Sequence, residues 1–200
     1  MKSILLSAAL VLCGVTMASS QTMPTEAQLA SAQYMGVRTC RPCHMKTAKG
    51  EMYEIWEASK HAKAFEALAS EASIALATTL GIDNAQESET CLQCHSTAGT
   101  QPAERVHARY ANTEGVGCEA CHGAGKFYRS KKLMCKVSSG EIEGSVVGLV
   151  TPTEATCAGC HAGEAPEGHP SIEFDYEAAV QTIAHPLPAE RTNGQGCVKK

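Results

Sequence analysis

The chain has 200 residues, with 17 Lys and Arg against 21 Asp and Glu and a net charge of −4, a balance that argues against nucleic acid, whose binding rests on basic contacts to phosphate. Aromatic residues make up only 4%, few for a side-chain core of this size, so some other apolar body is expected to fill the interior.

The amino terminus, "MKSILLSAALVLCGVTMASSQT", combines one lysine, an apolar run over residues 4–15 and the small residues Ala18, Ser19 and Ser20. This is the pattern of a cleaved secretory signal over residues 1–20, cut after Ser20 or, as the alternative, Ala18, and its run is too short for a membrane span. Cys13 raises a lipid anchor, but Leu12 is bulky where a small residue is required. No later stretch is apolar and long enough to cross a bilayer. Residues 21–200 are expected to form one exported domain, periplasmic or extracellular at the cell surface, made more acidic by the loss of Lys2.

Four short segments then repeat one pattern. "CRPCH" ends at His44, "CLQCH" at His95, "CEACH" at His122 and "CAGCH" at His161. With 8 His in 200 residues, independent placement would put a histidine behind all four Cys-x-x-Cys pairs in roughly three cases in a million, which removes coincidence. Zinc ribbons join two Cys-x-x-Cys halves and have no use for a histidine beside every second cysteine. Cys-x-x-Cys-His is instead the attachment signal of a c-type haem. Each thiol forms a thioether to one porphyrin vinyl group, and the adjacent imidazole lies under the iron. Four haem c groups are therefore expected, bound through Cys40, Cys43, Cys91, Cys94, Cys118, Cys121, Cys157 and Cys160, with His44, His95, His122 and His161 as proximal ligands to iron. Setting Cys13 aside with the signal, Cys135 and Cys197 remain, and in an oxidising compartment a disulfide between them is expected, two free thiols being the alternative.

Between the motifs, residues 51–80 are rich in Ala, Leu and Glu and end before Gly81, which predicts a helix with a break near Ser59. His61, Phe65, Leu68 and Ala72 fall on one face of it. Residues 138–152, "SSGEIEGSVVGLVTP", read as a short hairpin or an insertion. A second helix is predicted over 172–184, stopped by Pro186, and the tail after Pro188 is irregular. The fold class is mainly α: a small multihaem cytochrome c with helices and loops packed around the porphyrins and little β.

Four histidines remain after the proximal set: His61, His107, His169 and His185. That is one per iron if every haem is bis-histidine, with Met52 and Met134 as alternative axial ligands.

The segments "TCRPCHMKTAKGEMYEIWEASKHAKAFEAL", "CLQCHSTAG", "GVGCEACHGAG" and "CAGCH" with "FDYEAAVQTIAHP" resemble the tetrahaem cytochrome c-554 family over most of residues 34–187. The resemblance implies haems in stacked pairs, His61 as distal ligand to the iron of His122, and His185 to that of His161. It also implies that the glycines of "GVGCEACHGAG" let backbone pass close to porphyrin. One departure stands out: where the family has a histidine about ten residues past the third motif, this chain reads "KFYRSKKLM". The first haem must then draw on His107, His169, Met134 or another chain.

Three functions follow from these readings. The first is a soluble electron carrier that exchanges electrons with redox partner proteins, its potentials tuned by ligands and burial. The second is a subunit of an extracellular cytochrome filament in which a histidine of one copy ligates a haem of the next, as in filament-forming relatives. The third is a haem oxidoreductase acting on a small nitrogen oxide or peroxide at an open iron, which eight histidines for four irons argue against.

Overall fold

Each of the four Cys-x-x-Cys-His segments closes a helix. In the computed structural model, which describes residues 23–45, 50–170 and 173–185, helix α1 (Glu26–Ala30) precedes α2 (Val37–His44), which ends on the first motif histidine. The second motif ends α6 (Glu89–His95), the third is the whole of α7 (Cys118–His122) and the fourth ends α9 (Glu154–His161). A helical turn carries residues three apart onto the same face, so both thiols of a motif point one way. The same closing bond recurs in all four: the residue after the histidine donates its N–H to the carbonyl of the residue after the first cysteine, Met45 to Arg41, Ser96 to Leu92, Gly123 to Glu119 and Ala162 to Ala158. The histidine is thus held on the last turn.

The helix predicted over 51–80 exists in pieces. It divides into α3 (Met52–Glu57), a 3₁₀ turn (His61–Lys63), α4 (Ala64–Ala67) and α5 (Glu71–Thr79). The break falls at Ser59, whose N–H and hydroxyl both donate to the Trp56 carbonyl, the local competition by which serine ends helices. A second break follows Leu68, because Ser70 caps a fresh helix by accepting from Ser73 N–H. The predicted face is accordingly cut short. Leu68 and Phe65 join the core with Ala77, Ala85, Leu92, Ile82 and Cys91, while Ala72 is exposed.

Farther on, α8 (Lys131–Ser138) begins at the capping Ser130. The segment read as a hairpin or insertion is no hairpin: Gly144–Val147 is a 3₁₀ turn left through Gly148 at φ +81°. The last described helix, α10 (Tyr176–Ile183), starts later than predicted because Asp175 caps it by accepting from Ala178 N–H. Among the described residues the pairing of extended chain is limited to one parallel bridge, Tyr34 with Val106, and the fold is mainly α as expected.

Side-chain burial is thin. Among the described residues only Met35 and Val147 are large side chains buried to below 2% exposure, in keeping with a chain whose interior is not closed by its own residues. No described helix is long and apolar enough to cross a membrane. The expected signal over 1–20, Cys13, Cys197 and the tail lie outside the described residues.

Candidate metal centres

The motif helices bring their thiols together across the fold. The Cys40 and Cys118 thiols lie within hydrogen-bonding reach, and that contact, followed by burial, pushes Cys40 up. Cys121 faces Cys157 electrostatically, and burial raises its thiol. Burial, then Cys94, pushes Cys160 up to about 12. The attachment sites therefore neighbour one another in the order first, third, fourth, second, which is not their order in sequence. All eight motif cysteines are free thiols, whereas Cys135 is disulfide-bonded; its expected partner Cys197 lies outside the described residues.

Three motif imidazoles each meet one of the spare histidines. The ring centroids of His161 and His61 are 5.8 Å apart, those of His95 and His169 6.3 Å, and those of His122 and His185 5.7 Å. Two metal–nitrogen bonds of about 2 Å, with about 1.1 Å from each nitrogen to its ring centre, separate trans imidazoles by about 6 Å. Each pair is thus spaced for one iron between its rings. Among the described residues no three His, Cys, Asp or Glu side chains converge as a bare metal ion requires, and pairs are what a planar ring with two axial positions takes. The residues present fit haem.

Hydrogen bonds set the tautomers. His95 Nδ1 lies 2.7 Å from the Ala64 carbonyl and His122 Nδ1 3.1 Å from that of Val150. A carbonyl can only accept, so Nδ1 carries the proton and Nε2 keeps its lone pair for a metal. His169 is oriented likewise by the Pro170 carbonyl at 2.8 Å. Burial, and then the neighbouring imidazole of His161, holds His61 below its ordinary value; burial does the same for His122. Both effects favour the neutral, ligating form. His161 differs in that its Nδ1 is buried without a partner among the described residues, the ring being stacked on Phe174 at 4.9 Å.

The pairing differs from the one the resemblance implies. His61 lies against His161 rather than His122, and His185 against His122 rather than His161. His61 is fixed there from behind, since its carbonyl accepts from Val116 N–H and Trp56 Nε1 donates to the Val116 carbonyl. Gly115, at φ +65°, passes so close that a Cβ would stand 2.6 Å from the His61 carbonyl oxygen, a place for glycine alone. At Gly123 a Cβ would meet the Gly148 carbonyl at 2.8 Å, so here too glycine lets protein backbone pass close.

The remaining candidates sit differently. His107 accepts the Arg109 N–H on Nδ1 at 3.2 Å, which places the proton of its neutral form on Nε2. Met52 Sδ lies 2.9 Å from His44 Nδ1, behind the imidazole rather than across an iron from it. Met134 is on the first turn of α8 and bonds by its N–H to the Ser130 carbonyl.

One residue that motif reading passes over organises the centre. Glu119, a spacer inside "CEACH", is only 4% exposed and accepts from the N–H groups of Met35 (2.8 and 2.9 Å), Gly36 (2.8 Å) and Gly125. It ties the entry of α2 to α7 and so fixes the first motif against the third. An acidic spacer, where the other motifs have none, was the available signal.

Against known proteins, residues 39–123 match the family described as cytochrome c554 and c-prime. Over this segment the chain is similar to the cytochrome c-554 family. A cytochrome c-554 of Nitrosomonas europaea is 28% identical over 125 residues, 60% of this chain and 51% of that protein. The chain thus spans about half the length of the curated relative it matches. The family model closes just after the third motif, so the fourth motif and His185 lie beyond it. No solved structure matches the chain.

Proposed function

We propose that the protein is an exported electron carrier with four covalently bound haem c groups, the irons of His95, His122 and His161 being completed by His169, His185 and His61 of the same chain. The observation that carries this reading is the spacing of the three imidazole pairs, 5.7–6.3 Å, combined with a free Cys-x-x-Cys pair beside each proximal ring. Haem supplies the one-electron chemistry. The chain anchors each ring by two thiols, favours the neutral form of His61 and His122 by burial, fixes the tautomers of His95 and His122 through the Ala64 and Val150 carbonyls, and sets neighbouring attachment sites side by side in the order first, third, fourth, second.

Internal pairing at His95, His122 and His161 favours the carrier at three of the four irons; the iron of His44, left to His107, Met134 or a histidine of another chain, is where a filament contact or an open iron would show. Intact mass of the denatured, exported protein tests the proposal. The expected result is four haems that acidic acetone does not release, on a chain beginning at Gln21, with low-spin iron in resonance Raman spectra of a monodisperse sample. Bound zinc without haem would end the haem reading, and a polymer would replace the carrier by the filament.

A further inference from the structure

From Ala120 to Gly140 the chain has no acidic residue and carries Lys126, Arg129, Lys131, Lys132 and Lys136, although the protein as a whole is acidic. Lys126, Arg129, Lys131 and Lys132 are exposed, and the ion pair this segment forms among the described residues is that of Lys136 with Glu141. Lys131 and Lys132 open α8 with no acid in its first turn, where the helix dipole disfavours cations. Charge here works against local stability, which the bland reading of a solvated face does not explain.

The segment is held to the third attachment site. The Tyr128 hydroxyl donates to the Gly123 carbonyl at 2.5 Å, Gly125 N–H donates to Glu119, and Arg129 N–H bonds to the Gly125 carbonyl. The C-terminal end of α8 leads into an open depression of about 560 Å³ whose lining includes Val137, Ile142, Leu149 and Val150 together with one carboxylate, Glu143, and Val146 and Val150 are left 42% and 46% exposed. Val150 is also the residue whose carbonyl holds His122 Nδ1. An apolar centre beside a charged margin is the anatomy of a transient protein interface. This one is a single hydrogen bond from a proximal imidazole.

We propose that the face formed by residues 126–136 and the 146–150 loop is the docking surface for an acidic redox protein, which exchanges electrons with the haem of Cys118–His122. The proposal rests on the electron-carrier reading. Electrostatic steering brings the acidic partner to this face against the net charge of the rest, and the short path through Val150 makes it a place of electron entry or exit.

Oxidation of the reduced holoprotein by ferricyanide, an anionic probe, tests this by rapid mixing. One kinetic phase is expected to slow by about tenfold as ionic strength rises from about 0.01 to about 1 M, over which the screening length falls from about 30 to about 3 Å. Poly-glutamate should compete with ferricyanide in that phase. The combined variant Lys126→Glu, Arg129→Glu, Lys131→Glu, Lys132→Glu should lose the fast phase at low salt, and Lys131→Gln with Lys132→Gln, a milder change, should lose part of it, both with all haems attached.

A wild-type rate that rises with salt, as the net charge alone dictates, overturns the proposal. So does a variant that leaves the salt dependence intact but shifts a midpoint potential, because the cations would then serve haem propionates. Salt-sensitive self-association in sedimentation, abolished by the variants, assigns the face to a second copy and overturns it too. A chain without covalent haem would instead remove the electron-carrier reading itself, a distinguishable failure.

Discussion

Replacing His61 by Ala separates the structural pairing from the one implied by family resemblance. In the structure the His61 ring is 5.8 Å from that of His161, against about 6 Å for two imidazoles on one iron. The ring is held by backbone bonds through Val116 and Trp56, so the deletion removes the ligand and leaves its support. One iron in four should pass from low to high spin with every thioether retained, read by electron paramagnetic resonance. To identify that iron, the same change is made in a chain whose fourth attachment site has been removed by Cys157→Ala and Cys160→Ala. If His61 serves the iron of His161, the two changes act on one site and His61→Ala adds no further high-spin signal in that background. An equal gain of high-spin iron in both backgrounds would place His61 on another iron and refute the assignment. An unchanged low-spin population in His61→Ala alone would return it to the class of ordinary half-buried histidines.

Three further outcomes follow from the same geometry. Glu119→Ala strands the N–H groups of Met35, Gly36 and Gly125, and at about 1–3 kcal/mol for each buried donor left unsatisfied the loss of stability should reach about 3 kcal/mol by chemical denaturation, Glu119→Gln costing less. Burial raises the Glu114 carboxyl above its ordinary 4.5, with Oε1 lacking a partner among the described residues and Oε2 accepting from Val37 N–H at 3.0 Å. A carboxyl raised in the folded state disfavours folding once ionised, so its penalty should appear as pH rises from 4.5 through the raised value. Thermal melts of Glu114→Gln should therefore gain on the wild type over that window, and equal slopes would contradict the burial argument. Peptide mapping should find Cys135 joined to Cys197 and the eight motif cysteines all carrying haem; a free Cys135 would be the contrary result.

Local covalent chemistry is what the sequence determined by itself. The spacing Cys-x-x-Cys-His fits one helical turn, and at all four sites the turn closes with the same backbone bond whatever lies around it, so the local placement of each thiol pair and of the imidazole behind it was legible residue by residue. The breaks in the 51–80 helix were partly legible, at Ser59 but not at Ser70, since both depend on a serine competing with the helix for backbone groups and only local context decides which one wins. Tertiary structure alone decided the partners. His61 and His161 are separated by a hundred positions and His122 and His185 by more than sixty, and no periodicity links residues that far apart; the crossing is fixed by contacts such as Val116 with His61 and Val150 with His122. The same holds for Glu119, a spacer by motif and a buried anchor in the fold, because two of the N–H groups it satisfies, those of Met35 and Gly36, come from a loop 84 and 83 residues earlier, and only the folded chain brings an otherwise costly buried carboxylate to those donors.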